Sequence, residues 1–190
     1  MSRDSRYLEA ILHHDIPLTR AMGLRVEQWE NHELRLRVPL QANINHKSSM
    51  FGGSLYCAAV LAGWGWLHLR LREAGIDDGH IVIQDGRIEY PLPVVDDATA
   101  ICNAPVEGAW ERFEAIYRRR GRARLELHSR IIAADGRDAH AGPLGGGLVE
   151  AHGDGDHARD EGEGGHEDWS QSLSAGGKYS GFGRLSFIAS

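Results

Sequence analysis

SSMFGGSLYCAAVLAGWGWLHLRLREAG, residues 48–75, is the segment around which the rest of the chain arranges itself. From Met50 to Leu69 it runs for 20 residues without Lys, Arg, Asp or Glu, which is close to the length that spans a bilayer. Four glycines (Gly52, Gly53, Gly63, Gly65), Ser54 and His68 interrupt the run, and the flanking segments alternate like strands of a sheet, so the reading is a buried helix. Ser48 and Ser49 are N-cap candidates and Gly75 is the C-terminal stop. A helix apolar on nearly every face until Arg70, Arg72 and Glu73 must be wrapped on all sides. In a chain of 190 residues, one domain's worth, a curved sheet is the available wrapping.

Strand patterns lie on both sides. Upstream, a short helix over Arg6–His13 is stopped by Pro17, and Met22–Trp29 follows as a strand of mixed pattern. Leu34, Leu36 and Val38 then alternate with Glu33, Arg35 and Arg37, and Asn31-His32 makes the hairpin turn between the two strands. Downstream, Ile81–Tyr90, Thr99–Ala104 and Ala123–Ala133 read as strands, with a surface helix over Gly108–Arg120 that carries Trp110, Phe113, Ile116 and Tyr117 at helical spacing. The fold class is α+β, a mostly antiparallel sheet wrapped on one long helix.

Residues 141–180 change character, with 11 glycines and, between Glu150 and Asp168, 8 acidic residues against one arginine. Too little apolar surface is present there to offset the entropy of ordering, and the segment reads as a disordered or loosely held excursion. Phe182, Leu185, Phe187 and Ile188 return to a strand pattern, so residues 181–190 are expected to rejoin the sheet as an edge or terminal strand. Residues 1–140 hold 18 Lys/Arg against 19 Asp/Glu, a balance that gives no support to a nucleic-acid partner. The N-terminus MSRDSRYLEAILHHD has no apolar signal core, and a cytoplasmic location is expected. Cys57 and Cys102 have no ligand spacing, and Cys57 reads as inert core; His152, His157 and His166 fix no geometry, so no metal is expected.

Chemistry concentrates in Asn43–Ser54, where a polar loop delivers the backbone onto the buried helix. The first turn of that helix has unpaired N–H groups and the positive end of the dipole. With Gly52 and Gly53 there, a docked carbonyl would be polarised and an addition intermediate stabilised. Asn45 and His46 stand just outside, able to orient a water or donate a proton. The same glycine pair could instead serve helix–sheet packing, and the residues alone leave both readings open.

These stretches, NHKSSMFGGSLYCAAVLAGWGWLHLRLREAG with IPLTRAMGLRV before it and VIQDGRIEYPLPV after it, resemble the hotdog-fold thioesterase family. They are most similar to the thioesterase-like domain at the C-terminus of certain bacterial acetyltransferase-like proteins. The resemblance covers roughly Leu8–Asp138 and, more weakly, Tyr179–Ala189. It implies a hotdog fold, an acyl-CoA or acyl-carrier thioester substrate, and homodimers, which in some relatives stack into tetramers. It implies no cofactor beyond coenzyme A as part of the substrate. Asn45 matches the class's asparagine. Many relatives carry His-Gly-Gly at the helix start and a carboxylate two turns on, whereas this chain has Phe51 and Val60 at those places. The residues left to carry hydrolysis are Asn45, His46, Gly53, Ser54 and Asp85, with Gly52 in the thioester-binding turn. Asp85 on its strand could face the site across a dimer, or it is a turn or bulge aspartate beside Gly86. Arg118, Arg120 and Arg122, in a cluster with Arg119 and Arg124, could hold the nucleotide phosphates of coenzyme A or be solvated charge. Trp64 and Trp66 could close an acyl pocket or be core. Loss of both the histidine and the acid makes a non-catalytic acyl-thioester binding or regulatory domain the alternative.

Overall fold

Alternation and turn chemistry build the first hairpin. Helix α1 (Arg3–Asp15) is capped by Ser2, whose side chain accepts from Ser5 N–H, and a further short helix α2 (Leu18–Ala21) follows Pro17. Strands β1 (Arg25–Glu30) and β2 (Glu33–Val38) are joined by Asn31 and His32, both at positive φ (50° and 56°), as a two-residue hairpin turn of the twist-matched kind requires. Helix α3 (Gly52–Glu73) is the apolar run, and β3 (Ile81–Ile88), β4 (Ala98–Cys102), α4 (Ala109–Arg120), β5 (Ala123–Ala133) and β6 (Ser180–Ala189) complete the order. The computed structural model describes residues 1–77, 79–133 and 180–189, with backbone alone for 180–184; all of them belong to one compact unit. The glycine- and acid-rich segment and its three histidines lie outside the described residues.

The six strands form one sheet in the order β1-β2-β4-β5-β6-β3, and every neighbouring pair is antiparallel. It wraps α3, with Leu34, Leu36, Ala100, Leu127, Ile131, Leu185 and Phe187 buried against Ala58, Ala59, Ala62, Trp66 and Leu69. This is the hotdog arrangement. Of the two positions expected for the returning segment, edge or terminal, β6 is the last strand of the chain and not an edge of the sheet. It lies between β5 and β3, with its inward residues Leu185, Phe187 and Ala189 at most 1% exposed. Among the described residues the sheet ends at β1 and β3.

Helix α4 covers the C-terminal end of α3. Trp110 packs edge-on to Trp66 (5.9 Å between centroids), and Arg70 lies over the Trp110 ring at 4.6 Å. No helix among the described residues is long and apolar enough to cross a membrane.

Candidate active site at the start of the central helix

The loop ahead of α3 is held by asparagines. Asn43 is buried, and its Nδ2 donates to the carbonyls of Met22 and Pro39, both at 2.8 Å. Its own carbonyl accepts from Phe51 N–H at 2.7 Å, which fixes where the helix begins. Residues 44–50 then close into a small loop by an Ile44–Met50 bridge. Within it Asn45 Oδ1 accepts from Lys47 N–H at 2.8 Å, and its Nδ2 donates to Ser49 Oγ at 3.0 Å. Asn45 thus shapes the loop with its own amide, as asparagines in turns do. His46 sits exposed on the same loop.

Helix α3 starts at Gly52, with Phe51 as N-cap and no side-chain cap. The Ser54 and Leu55 N–H groups donate to Phe51 O (3.0 and 3.2 Å). The N–H groups of Gly52 and Gly53 have no acceptor among the described residues. The space around the two glycines bears on the packing reading. A Cβ on Gly52 would meet only ordinary van der Waals contact, 3.5 Å from the Tyr90 ring. A Cβ on Gly53 would strike the ring of Phe51, which is 57% exposed and free to turn aside. Neither glycine has positive φ; those that do, among the described residues, are Gly23, Gly75, Gly108 and Gly121. Neither core packing nor backbone conformation therefore demands glycine at 52 or 53. What the pair provides is an uncovered helix start with two free donors.

Tyr90, which the sequence reading passed over, completes this end. Its hydroxyl donates to Gly52 O at 2.9 Å. Burial first, then the neighbouring Tyr56 and Cys57, push its phenol above the usual range, so it stays protonated. Tyr90-Pro91-Leu92-Pro93-Val94 forms a strap, tied again where Met50 N–H donates to Val94 O at 2.7 Å. The two prolines flanking Leu92 were the available signal, since each fixes φ and favours an extended residue before it. Asp97 is a second omission. It accepts from Leu40 N–H and from Arg37 Nη2, both at 2.8 Å, and these bonds hold its carboxyl below the usual carboxylate range.

The other sequence candidates are dispersed. Gly53 and Ser54 lie in the first turn of α3, and Ser54 is half-buried. Asp85 lies on the outer face of the sheet. A bulge between Ile83 and Asp85 pairs Ile83 with Phe187, Asp85 with Ser186 and Gly86 with Leu185, so Asp85 points away from α3 and lines an outer depression with Gln84, Arg124, Glu126 and Ser186. Arg118 is engaged structurally: it donates to Ala74 O at 2.7 Å, satisfying an end carbonyl of α3, and to Glu114 at 2.9 Å. Arg120 and Arg122 are exposed beside it. This cluster is at the opposite end of α3 from Gly52, and the 22-residue helix is about 33 Å long. Trp66 is core, 1% exposed and donating to His32 O at 2.7 Å, whereas Trp64 is half-buried and stacked on His68 at 4.9 Å. Cys57 is half-buried; Cys102 is buried and its thiol is pushed up to about 12.

Residues 5–143 match the family model described as "Putative thioesterase (yiiD_Cterm)". Among solved structures the chain is similar to a protein of unknown function from Chlorobaculum tepidum TLS, at 28% identity and TM-score 0.70 over 97% of this chain and 93% of that one. It shares its fold with a "putative thioesterase" from Shewanella oneidensis (21% identity, TM-score 0.63, 98% of each chain). The same holds for a "probable thioesterase" from Pseudomonas aeruginosa (16% identity, TM-score 0.61, 96% of this chain and 93% of that one).

Proposed function

We propose, on the premise that the chain belongs to the thioesterase family matched over residues 5–143, that it hydrolyses an acyl-CoA or acyl-carrier thioester. The observation that carries this is the Gly52–Gly53 pair, glycine for no packing or conformational reason, with two N–H groups open at the start of a 22-residue helix. Water adds to the thioester carbonyl carbon, and the oxyanion rests on those N–H groups. The C–S bond then breaks, and the thiolate leaves to take up a proton. Ser54 N–H is spent on Phe51 O, so only the Ser54 hydroxyl is left to contribute. In this reading Asn45 sets the loop that presents His46, and His46 takes the proton from water. Asp85 could serve only as a residue presented by a second copy.

A homodimer fits the same reading, with tetramers left open. Among the described residues β3 is an end strand of the sheet, and Val82 on it is 58% exposed, close to the kind of strand that pairs with another chain. Arg120 and Arg122, a helix length from their own glycines, would then serve the phosphates of a coenzyme A seated at the other copy's helix start. No further cofactor, no metal, no nucleic acid and no membrane enter the proposal; the protein acts in the cytoplasm. The proposed hotdog unit comprises residues 1–140 and the returning segment 181–190, to which β6 adds Ser180.

Phe51 and Val60 favour one second reading, a domain that binds acyl thioesters without cleaving them, because neither side chain can accept a proton. Thiol release across acyl-CoAs from acetyl to long-chain, with wild type beside Asn45→Ala, His46→Ala and Asp85→Ala, separates the two. Saturable turnover removed by His46→Ala supports the assignment. Binding without turnover supports the second reading, and neither binding nor turnover sinks both.

A further inference from the structure

Next to Gly52 the structure has a depression of ≈ 310 Å³, walled by Met50, Leu55 and the strap Tyr90–Val94. Met50 (3% exposed), Leu55 (6%) and Val94 (3%) form its apolar floor, and Leu92, 44% exposed, stands at its rim. The only polar side-chain group in the lining is the Tyr90 hydroxyl, whose proton is committed to Gly52 O. Its oxygen can then act only as an acceptor, for example from a water. The two prolines and the tethers at both ends keep the strap from collapsing into the space or swinging away.

Resting on the hydrolase reading above, we infer that this depression is the acyl pocket, that it takes short to medium apolar acyl groups, and that Leu92 sets the length limit. Apolar walls beside Gly52, one of the two residues with a free N–H at the helix start, match an acyl chain attached to a carbonyl: the carbonyl oxygen meets the helix start and the chain lies under the strap. The volume sets the class. At roughly 30 Å³ per heavy atom the space holds about ten, at the small end of ligand pockets. That admits chains up to about eight carbons, or a small aromatic acyl group, and leaves a palmitoyl chain largely in water. Tyr90 is a positioning residue, holding the strap at its distance from the helix.

The test is a series of acyl-CoAs from acetyl to palmitoyl, read as kcat/KM for thiol release and in parallel as Kd by calorimetry. Wild type is compared with Leu92→Trp, Leu92→Ala and Tyr90→Phe, each checked for melting temperature and oligomeric state. Wild type is expected to peak between butanoyl and octanoyl and to fall at least tenfold by palmitoyl. Leu92→Trp should lower the hexanoyl-to-acetyl ratio at least tenfold, and Leu92→Ala should move the peak two or more carbons longer. Tyr90→Phe should blunt the ratio about threefold, mainly through KM. A flat wild-type profile, or four superimposable profiles, overturns the inference. So does a Leu92→Trp protein that changes oligomeric state without changing the ratio, which would make the depression an interface between copies. If no chain length is turned over, hydrolysis is lost as a function, and the Kd ratios decide the pocket by the same criteria.

Discussion

Helix α3 carries two pairs of glycines, and they are glycine for opposite reasons. At Gly63 a Cβ would sit 2.7 Å from the Phe187 ring and 3.1 Å from Leu185; at Gly65 it would sit 2.9 Å from Leu34 and 3.0 Å from Leu8. All four neighbours are fully or almost fully buried and have nowhere to go. These two let the helix lie close on the sheet. Gly52 and Gly53 meet an ordinary contact and a movable exposed ring. Small residues in the middle of the helix are required by packing, whereas those at its start are not, which is what the proposed role as open backbone donors needs. Composition alone treats the two pairs as equivalent.

The strongest way to break this distinction is Gly52→Pro. Gly52 is the first helical residue, where proline is tolerated, and Phe51 before it already has extended dihedrals (φ −63°, ψ 129°). The change deletes one N–H and little else. Loss of one oxyanion donor lowers kcat by about 100- to 1,000-fold. With the fold intact by circular dichroism, that fall is expected in the thiol-release assay; unchanged kcat would remove Gly52 from the chemistry. Gly63→Ala should do the reverse. Overpacking there is expected to destabilise by about 1–3 kcal/mol in urea unfolding, with activity per folded molecule unchanged. A stable Gly63→Ala protein would erase the contrast.

Asn45→Ala sharpens it next. Its side chain holds the loop that leads to the glycines, so about 1 kcal/mol of stability should go together with a loss of turnover. The smallest effect concerns pH. Asp97 pins Leu40 at the entry of the same loop, and its folded-state pKa is depressed by the Leu40 N–H and Arg37. A depressed carboxylate stabilises the fold at pH above its unfolded value, about 3.9, and that stabilisation is lost as pH falls through the folded value. Acid titration of the melting temperature should therefore show a shallow drop below about pH 4 that Asp97→Asn flattens.

Strand β3 shows where reading from sequence reaches its limit. Strict alternation from Ile83 puts Asp85 on the inner face, two residues on. The bulge consumes one residue between them and turns Asp85 outward, while Gly86 comes in against the Tyr56 hydroxyl. A one-residue shift in pairing leaves almost no trace in composition. Arg118 is similar: five arginines between 118 and 124 invite a phosphate site, yet the first of them closes the end of α3 on Ala74 O. Tyr90 was invisible because its role depends on a contact with Gly52, 38 residues away.

The local patterns by themselves determined the central helix, the period-two strands, the Asn31-His32 turn and hence an α+β sheet around one helix. Those features follow from side-chain periodicity and backbone dihedral preference, which act over a few neighbouring residues. Only the tertiary structure decided which glycines pack and which stay open, that β6 lies inside the sheet between β5 and β3, which face Asp85 takes, and that Tyr90 ties a strap across the helix start. Each depends on register and close approach between segments far apart in the chain. Such contacts are set by how the whole core fills its volume, and no short window of sequence contains that information.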